Sequence, residues 1–181
     1  MVSLPQANWQ WSVDTEDNSV KVLMGEHSVD IVYQARMFIP FPQKTLYFSL
    51  DDVANYSLLS EQFSVDEYSD EQICHIILHI LAVTLFHKPI MPKSWLFQTQ
   101  TQTQSQDVSY IESRECVYLT SAESNVRAKY FVIDCDEHFA LCLLVDVTHP
   151  ITSRKTFRQG QIVKVSLDKI TCIESLYRLC F

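Results

Sequence analysis

Residues 87–97 read His-Lys-Pro-Ile-Met-Pro-Lys-Ser-Trp-Leu-Phe, and the chain changes character across them. Upstream lies a long apolar run at helical spacing. Ile73, Ile76, Ile77, Ile80 and Thr84 recur on one face, and Leu78, Leu81, Val83 and Leu85 fill much of the rest. A helix that is apolar nearly all round belongs at the centre of a core. Pro89 ends it, because the proline ring clashes with the preceding turn and disfavours helix at Lys88. Beyond Trp95 the hydrophobic period falls from 3.6 to 2. Strands are predicted over 94–98, 107–112, 115–120, 126–134, 138–147 and 161–166. The run HFALCLLVDV (138–147) is apolar almost throughout, as in a strand covered on both faces or lining a barrel. The two prolines therefore separate a mixed α/β domain, 1–93, from a β-rich domain, 94–181, in an α+β chain.

Back toward the N-terminus the same periodicities set the elements. Trp9, Trp11 and Val13 alternate with polar residues, Thr15–Asn18 supply turn chemistry, and Val20 and Val22 resume the alternation. That pattern predicts a β-hairpin over 8–24, with a further strand over 28–33. Pro40 and Pro42 mark 38–44 as a loop. Ser49, followed by Asp51 and Asp52, caps a helix running to about Phe63. Ser69 with Gln72 three residues on forms the capping-box signature of the central helix. Trp11 and Trp95 are expected as core anchors, since tryptophan buries a large area. The polar tract QTQTQTQSQ (98–106) has no apolar residue to bury and is expected as an exposed loop or edge hairpin.

The chain has 181 residues, a 47% hydrophobic and a 20% charged fraction, and so can bury a real core. Its two glycines, Gly25 and Gly160, cannot build a phosphate-cradling loop. The net charge of −8 disfavours nucleic acid as a partner. Seven acids and no Lys or Arg fall between Asp51 and Glu71, whereas Arg154, Lys155, Arg158, Lys164, Lys169 and Arg178 make the C-terminal part basic. Such polarity can steer an acidic partner to one side. The start, MVSLPQANWQW, has no charged segment followed by an apolar one, so no secretory signal is expected. The apolar stretch 76–86 is interrupted by His79 and too short for a bilayer, so no membrane insertion is expected. Six cysteines without a CxxC pair fit the reduced cytoplasm.

Catalytic chemistry has little to stand on. His75 and His79 share a helix face at a spacing that can hold zinc, but HIILH lacks the glutamate of a metalloprotease. Cys135 and His138 lie beside Asp134 and Asp136, yet neighbours on an alternating strand point to opposite faces. A metal- or thiol-dependent enzyme using either pair is the alternative reading. No G-x-S-x-G motif occurs. No catalytic residue, metal or cofactor is assigned.

Three motifs carry a resemblance. Asn8-Trp9-x-Trp11-x-x-Asp14, then Lys88-Pro89-x-Met91-Pro92-Lys93-Ser94-Trp95-x-Phe97, then Ala140-Leu141-Cys142-Leu143-Leu144 resemble, in order and spacing, the ZapC family. These are cell-division proteins associated with the cytokinetic Z-ring of gamma-proteobacteria. The tract 98–106 and the tail ESLYRLCF lie outside the likeness. The resemblance implies a non-enzymatic cytoplasmic protein at the mid-cell division site. Such a protein binds polymers of FtsZ, the tubulin-like division GTPase, and bundles them laterally. It further implies an N-terminal α/β domain and a C-terminal twisted, barrel-like β domain. It assigns filament binding to Lys88, Lys93 and Val22, the last where the family carries a larger aliphatic residue. Cross-linking needs two contacts, and two unlike domains supply them in a monomer more simply than self-association does.

Overall fold

The computed structural model describes residues 4–14, 16–40, 44–63, 67–100, 111 and 113–173. Contacts divide the chain into two units, Met1–Pro89 and Ile90–Phe181. Each encloses its own hydrophobic core.

In the first unit, β1 (Gln10–Asp14) and β2 (Ser19–Met24) form the hairpin that the alternation predicts, with Trp11 opposite Val22 and Val13 opposite Val20. Asn18 closes that turn at φ 52°. The register Met24↔His27 leaves Gly25 and Glu26 as a two-residue turn into β3 (His27–Ile31). Gly25 takes φ 72° there, a conformation that costs a side-chain-bearing residue strain. With the short β4 (Thr45–Tyr47) the order is β3-β2-β1-β4, antiparallel at each recorded pairing. Helix α1 (Leu50–Ser60) and helix α2 (Asp70–Phe86) both start on complete capping boxes, Ser49 with Asp52 and Ser69 with Gln72. Ten of the seventeen α2 residues are buried, which confirms a central helix. Trp11 stacks on Phe48 at 5.0 Å and meets the edge of Phe86, and Trp9 meets Phe48 and Tyr56 edge-on. Burying each such ring contributes roughly 2–3 kcal/mol.

In the second unit, β5 (Cys116–Thr120), β6 (Arg127–Cys135), β7 (Phe139–Leu144), β10 (Ile162–Ser166) and β11 (Ile170–Cys172) form an antiparallel sheet of order β10-β7-β6-β5-β11. A register shift between Val132 and Asp134 bends β6. Between β7 and β10 a separate hairpin, β8 (Thr148–Thr152) and β9 (Lys155–Arg158), buries Ile151 and Phe157 in the sheet's core cluster. Buried polar struts tie it down. The Ser121 hydroxyl donates to the Ile151 carbonyl at 2.6 Å. Nε2–H of His149 donates to the Val126 carbonyl, which leaves Nδ1 to accept from the Tyr130 hydroxyl, both at 2.8 Å.

The α+β class and the mostly antiparallel sheets match the periodicity, and several details differ from it. Barrel closure is not found: among the described residues no pairing joins the edge strands β10 and β11. Residues 94–96 form a 3-10 turn, not a strand. The predicted strand 138–147 stops at Leu144. Most of the strand expected at 107–112 and of the tract 98–106 falls outside the described residues, as does the tail from 174; Ile111, which is described, is in no strand.

Candidate functional site

The helix α2 ends as Pro89 requires. His87 makes its last backbone bond, to the Val83 carbonyl, and turns extended at ψ 136°. The emerging strand-like segment pairs with residues 37–39. Ile39 N–H donates to the Phe86 carbonyl at 2.7 Å, Lys88 N–H donates to the Met37 carbonyl at 2.9 Å, and Phe38 faces His87 across a bridge. The Lys88 ammonium donates to the Arg36 carbonyl at 2.7 Å. Lys88 is therefore held at the surface beside the exposed residues Arg36, Met37 and Ile39. Val13, Asn18, Ala35, Phe38 and Lys88 border a shallow cleft of about 330 Å³ there. The first unit holds twelve acidic and four basic residues and the second ten of each, so the whole net charge of −8 belongs to the first. Lys88 and Arg36 are half of that unit's cations.

In the second unit, residues 92–98 run along the five-stranded sheet. Lys93 N–H donates to the Lys164 carbonyl at 2.7 Å, and Pro92 bridges Lys164 in β10. The Ser94 hydroxyl accepts the Ser166 N–H at 2.8 Å. The Leu96 carbonyl accepts Ala122 N–H, and Gln98 N–H donates to Thr120. Phe97 is 3% exposed and enters the core, whereas Trp95 is 71% exposed. This overturns the expectation of Trp95 as a core anchor. A 3-10 turn rotates successive side chains by about 120°, so Phe97 takes the inward place and Trp95 faces water. Trp11, at 1%, is the core anchor expected, and Trp9 joins it at 3%. Met91 and Lys93 are exposed, and Lys93 has no ion pair among the described residues.

Val22 sits differently from the two lysines. It is fully buried at mid-β2 between Trp11 and Val29. Its methyl groups reach no partner, so any part it has in binding runs through the placement of the sheet. The histidine pair is also committed internally. His79 Nδ1–H donates to the His75 carbonyl at 2.7 Å, and Nε2 accepts the Val32 N–H at 3.0 Å, which leaves no lone pair for a metal. Burial, with the neighbouring His75, pulls the His79 imidazole down to about 3. Among the described residues no group of three or more His, Cys, Asp or Glu side chains could hold a metal ion. The Cys135 thiol donates to the Ile111 carbonyl at 3.2 Å. Burial and the carboxylates of Asp134 and Asp136 push it up, away from the nucleophilic thiolate. His138 lies in the exposed turn after it, where Asp136 accepts the backbone N–H groups of His138 and Phe139. A second cleft, of about 510 Å³, combines Trp9, Met24 and Val29 with Asp70, Glu71 and Cys74. Burial raises the Cys74 thiol as well, so that cleft presents carboxylates and a neutral thiol.

The described residues thus supply one cationic–apolar surface, Arg36/Lys88 with Met37 and Ile39, and a segment of the second unit in which Met91, Lys93 and Trp95 are each exposed. The lysines were legible through the family likeness. Arg36, Met91 and Trp95 were not: the sequence sets Met91 and Trp95 on either side of Lys93, but their exposure was not legible in it. No described helix is long and apolar enough to cross a membrane.

Two family models match the chain. One is described as cell-division protein ZapC, N-terminal, over residues 2–88, and the other as cell-division protein ZapC, C-terminal, over 89–176. The chain is similar to cell division protein ZapC of Psychromonas ingrahamii, with 40% identity over 92% of this chain and 86% of the relative. It is 31% identical to that of Photobacterium profundum over 94% and 92% of the two chains. It is 24% identical to that of Vibrio cholerae over 95% and 93%.

Proposed function

The chain belongs to the ZapC family of cell-division proteins, and from that premise we propose that it binds polymers of FtsZ, bundles them laterally and stabilises the Z-ring at mid-cell. The observation that carries this reading is the pair of family matches, which together span residues 2–176. The role is non-enzymatic and cytoplasmic.

The surfaces suit an acidic filament. Lys88 and Lys93 provide the charge, and each is held by backbone bonds to its own unit, which lowers the entropy lost on docking. Arg154, Lys155 and Arg158 add exposed cations on the β8–β9 hairpin. A monomer with one surface on each unit can hold two filaments without self-association. Val22 supports the first surface indirectly, by filling the sheet that carries it.

Co-sedimentation with polymerised FtsZ tests the proposal. The protein should enter the pellet at low salt, and light scattering should rise as filaments bundle. Recovery in the pellet should fall between low and high salt, because exposed charges are screened beyond about 8–10 Å at ordinary ionic strength. A protein that stays in the supernatant at low salt rules the reading out.

A further inference from the structure

We propose that the outward face of helix α1 docks an amphipathic helix of a partner protein, one whose apolar stripe is flanked by Lys or Arg. This goes beyond the filament reading and does not rest on it, because the face is acidic where the Lys88 surface is cationic.

Helix α1 is apolar on two sides. Asp52, Tyr56 and Leu59 are buried and fasten it to its own unit. On the opposite side Leu50, Ala54 and Leu58 are all exposed, Leu50 at 88% and Leu58 at 50%. Residues four apart lie one above another on a helix, so these three form a ridge about 12 Å long. Ala54 leaves a dip between the two leucines. An apolar side chain of a second helix fits such a dip, as the ridges of one helix fit the grooves of another. Single exposed leucines are ordinary, whereas two aligned along one face make a patch.

The ridge stands on a fixed backbone. At the N-terminus the Ser49 hydroxyl accepts Asp52 N–H at 3.1 Å, and the Asp52 carboxylate accepts Ser49 N–H at 2.8 Å. Further along, the Ser57 hydroxyl donates to the Val53 carbonyl and the Ser60 hydroxyl to the Ser57 carbonyl. Docking on this face therefore need not order the helix that carries it.

Charge selects the occupant. Asp51 and Glu61 flank the ridge, both exposed and neither in an ion pair among the described residues. No Lys or Arg occurs between Lys44 and Lys88, so the complement of this face is a cation supplied from outside. An anionic bilayer or a phosphate backbone is repelled by the same carboxylates. A second copy of the face would set its own Asp51 and Glu61 against these two, like charge on like. A protein helix that carries Lys or Arg beside its apolar stripe meets both demands. One helix pair belongs to the weak, transient class of interfaces, below about 1,200 Å².

The probe is a fluorescent synthetic helix of about 15 residues, with leucines at the spacing of one apolar face and lysines elsewhere. Two control peptides accompany it: the same residues in an order without an apolar face, and the same pattern with glutamate for lysine. Anisotropy titrations use the full chain, wild type and the variants Leu50→Gln/Leu58→Gln, Ala54→Arg and Asp51→Asn/Glu61→Gln. Thermal melts, sedimentation of the chain alone and pelleting with polymerised FtsZ run alongside. The leucine–lysine helix should bind saturably, and each control about tenfold or more weakly. The double leucine variant should lose about tenfold in affinity. Ala54→Arg should lose as much, by filling the dip and repelling lysine, with a melt within a few degrees of wild type because Ala54 is exposed. Asp51→Asn/Glu61→Gln should flatten the salt dependence. The leucine and Ala54 variants should pellet with FtsZ as the wild type does, which keeps this proposal separate from the filament reading. If the control without an apolar face binds as well as the probe, or Ala54→Arg binds it as well as wild type, the docking face is refuted. A wild-type dimer that the leucine variant dissolves overturns the choice of occupant in favour of a second copy. If the wild type pellets with FtsZ and the leucine and Ala54 variants do not, the face belongs to the filament and the proposal falls.

Discussion

His79 shows what a buried position demands of a single side chain. Its ring bridges the His75 carbonyl and the Val32 N–H, which requires the neutral tautomer with the proton on Nδ1. The folded imidazole titrates at about 3, against about 6.5 for an unfolded one. The folded state therefore refuses a proton that the unfolded state accepts. Its contribution is complete above pH 6.5 and is lost as pH falls toward 3, at up to about 1.4 kcal/mol per pH unit. His75 and His87, lowered mainly by burial, act in the same direction. Denaturant melts between pH 7 and 4 should show this loss, and His79→Gln should make the curve shallower over that window. Lys88 and Lys93 lie at the other extreme. Both are exposed, so Lys88→Glu with Lys93→Glu should leave the melting temperature within a few degrees of wild type. The same double variant should lose most FtsZ pelleting at low salt; a collapsed melt would mark the lysines as structural.

At the scale of elements, the two helix caps and the first hairpin read correctly because their signals were local, whereas the strand period read over 94–98 gave way to a 3-10 turn. Ser49/Asp52 and Ser69/Gln72 sit three residues apart, and the structure builds both boxes. The β1–β2 hairpin followed from alternation on either side of a turn. Three-residue strands are too short to show a period, so β4 and β11 were invisible. The β8–β9 hairpin was missed because Pro150 lies inside β8 and Ser153-Arg154 carries no glycine turn signal. Its position depends on partners far apart in sequence. Tyr130→Phe tests that: the His149 Nδ1 it serves would lose its donor inside the core. The expected cost is about 1–3 kcal/mol, read as a lower urea midpoint with an unchanged slope.

At the scale of the molecule, two units with separate cores invite separation. Fragments 1–89 and 90–181 should each give a cooperative melt, since the pairings of β1–β4 and of β5–β11 are all internal to one fragment. Neither fragment alone should raise light scattering of FtsZ polymers, because bundling by a monomer needs both surfaces on one chain. A single fragment that bundles as well as the intact protein would point to self-association.

The amino-acid sequence by itself determined the class of fold, the central helix and its proline stop, the change from helical to strand periodicity, and the family. All of these depend on neighbours within a few residues or on motif order. The tertiary structure alone decided which side chains face water. Trp95 looked like a core residue because size favours burial, but the 3-10 turn gave that place to Phe97. Arg36 met Lys88, and Tyr130 met His149, through contacts 52 and 19 residues apart. Local pattern carries no information about such closures, because they are set by how whole elements pack.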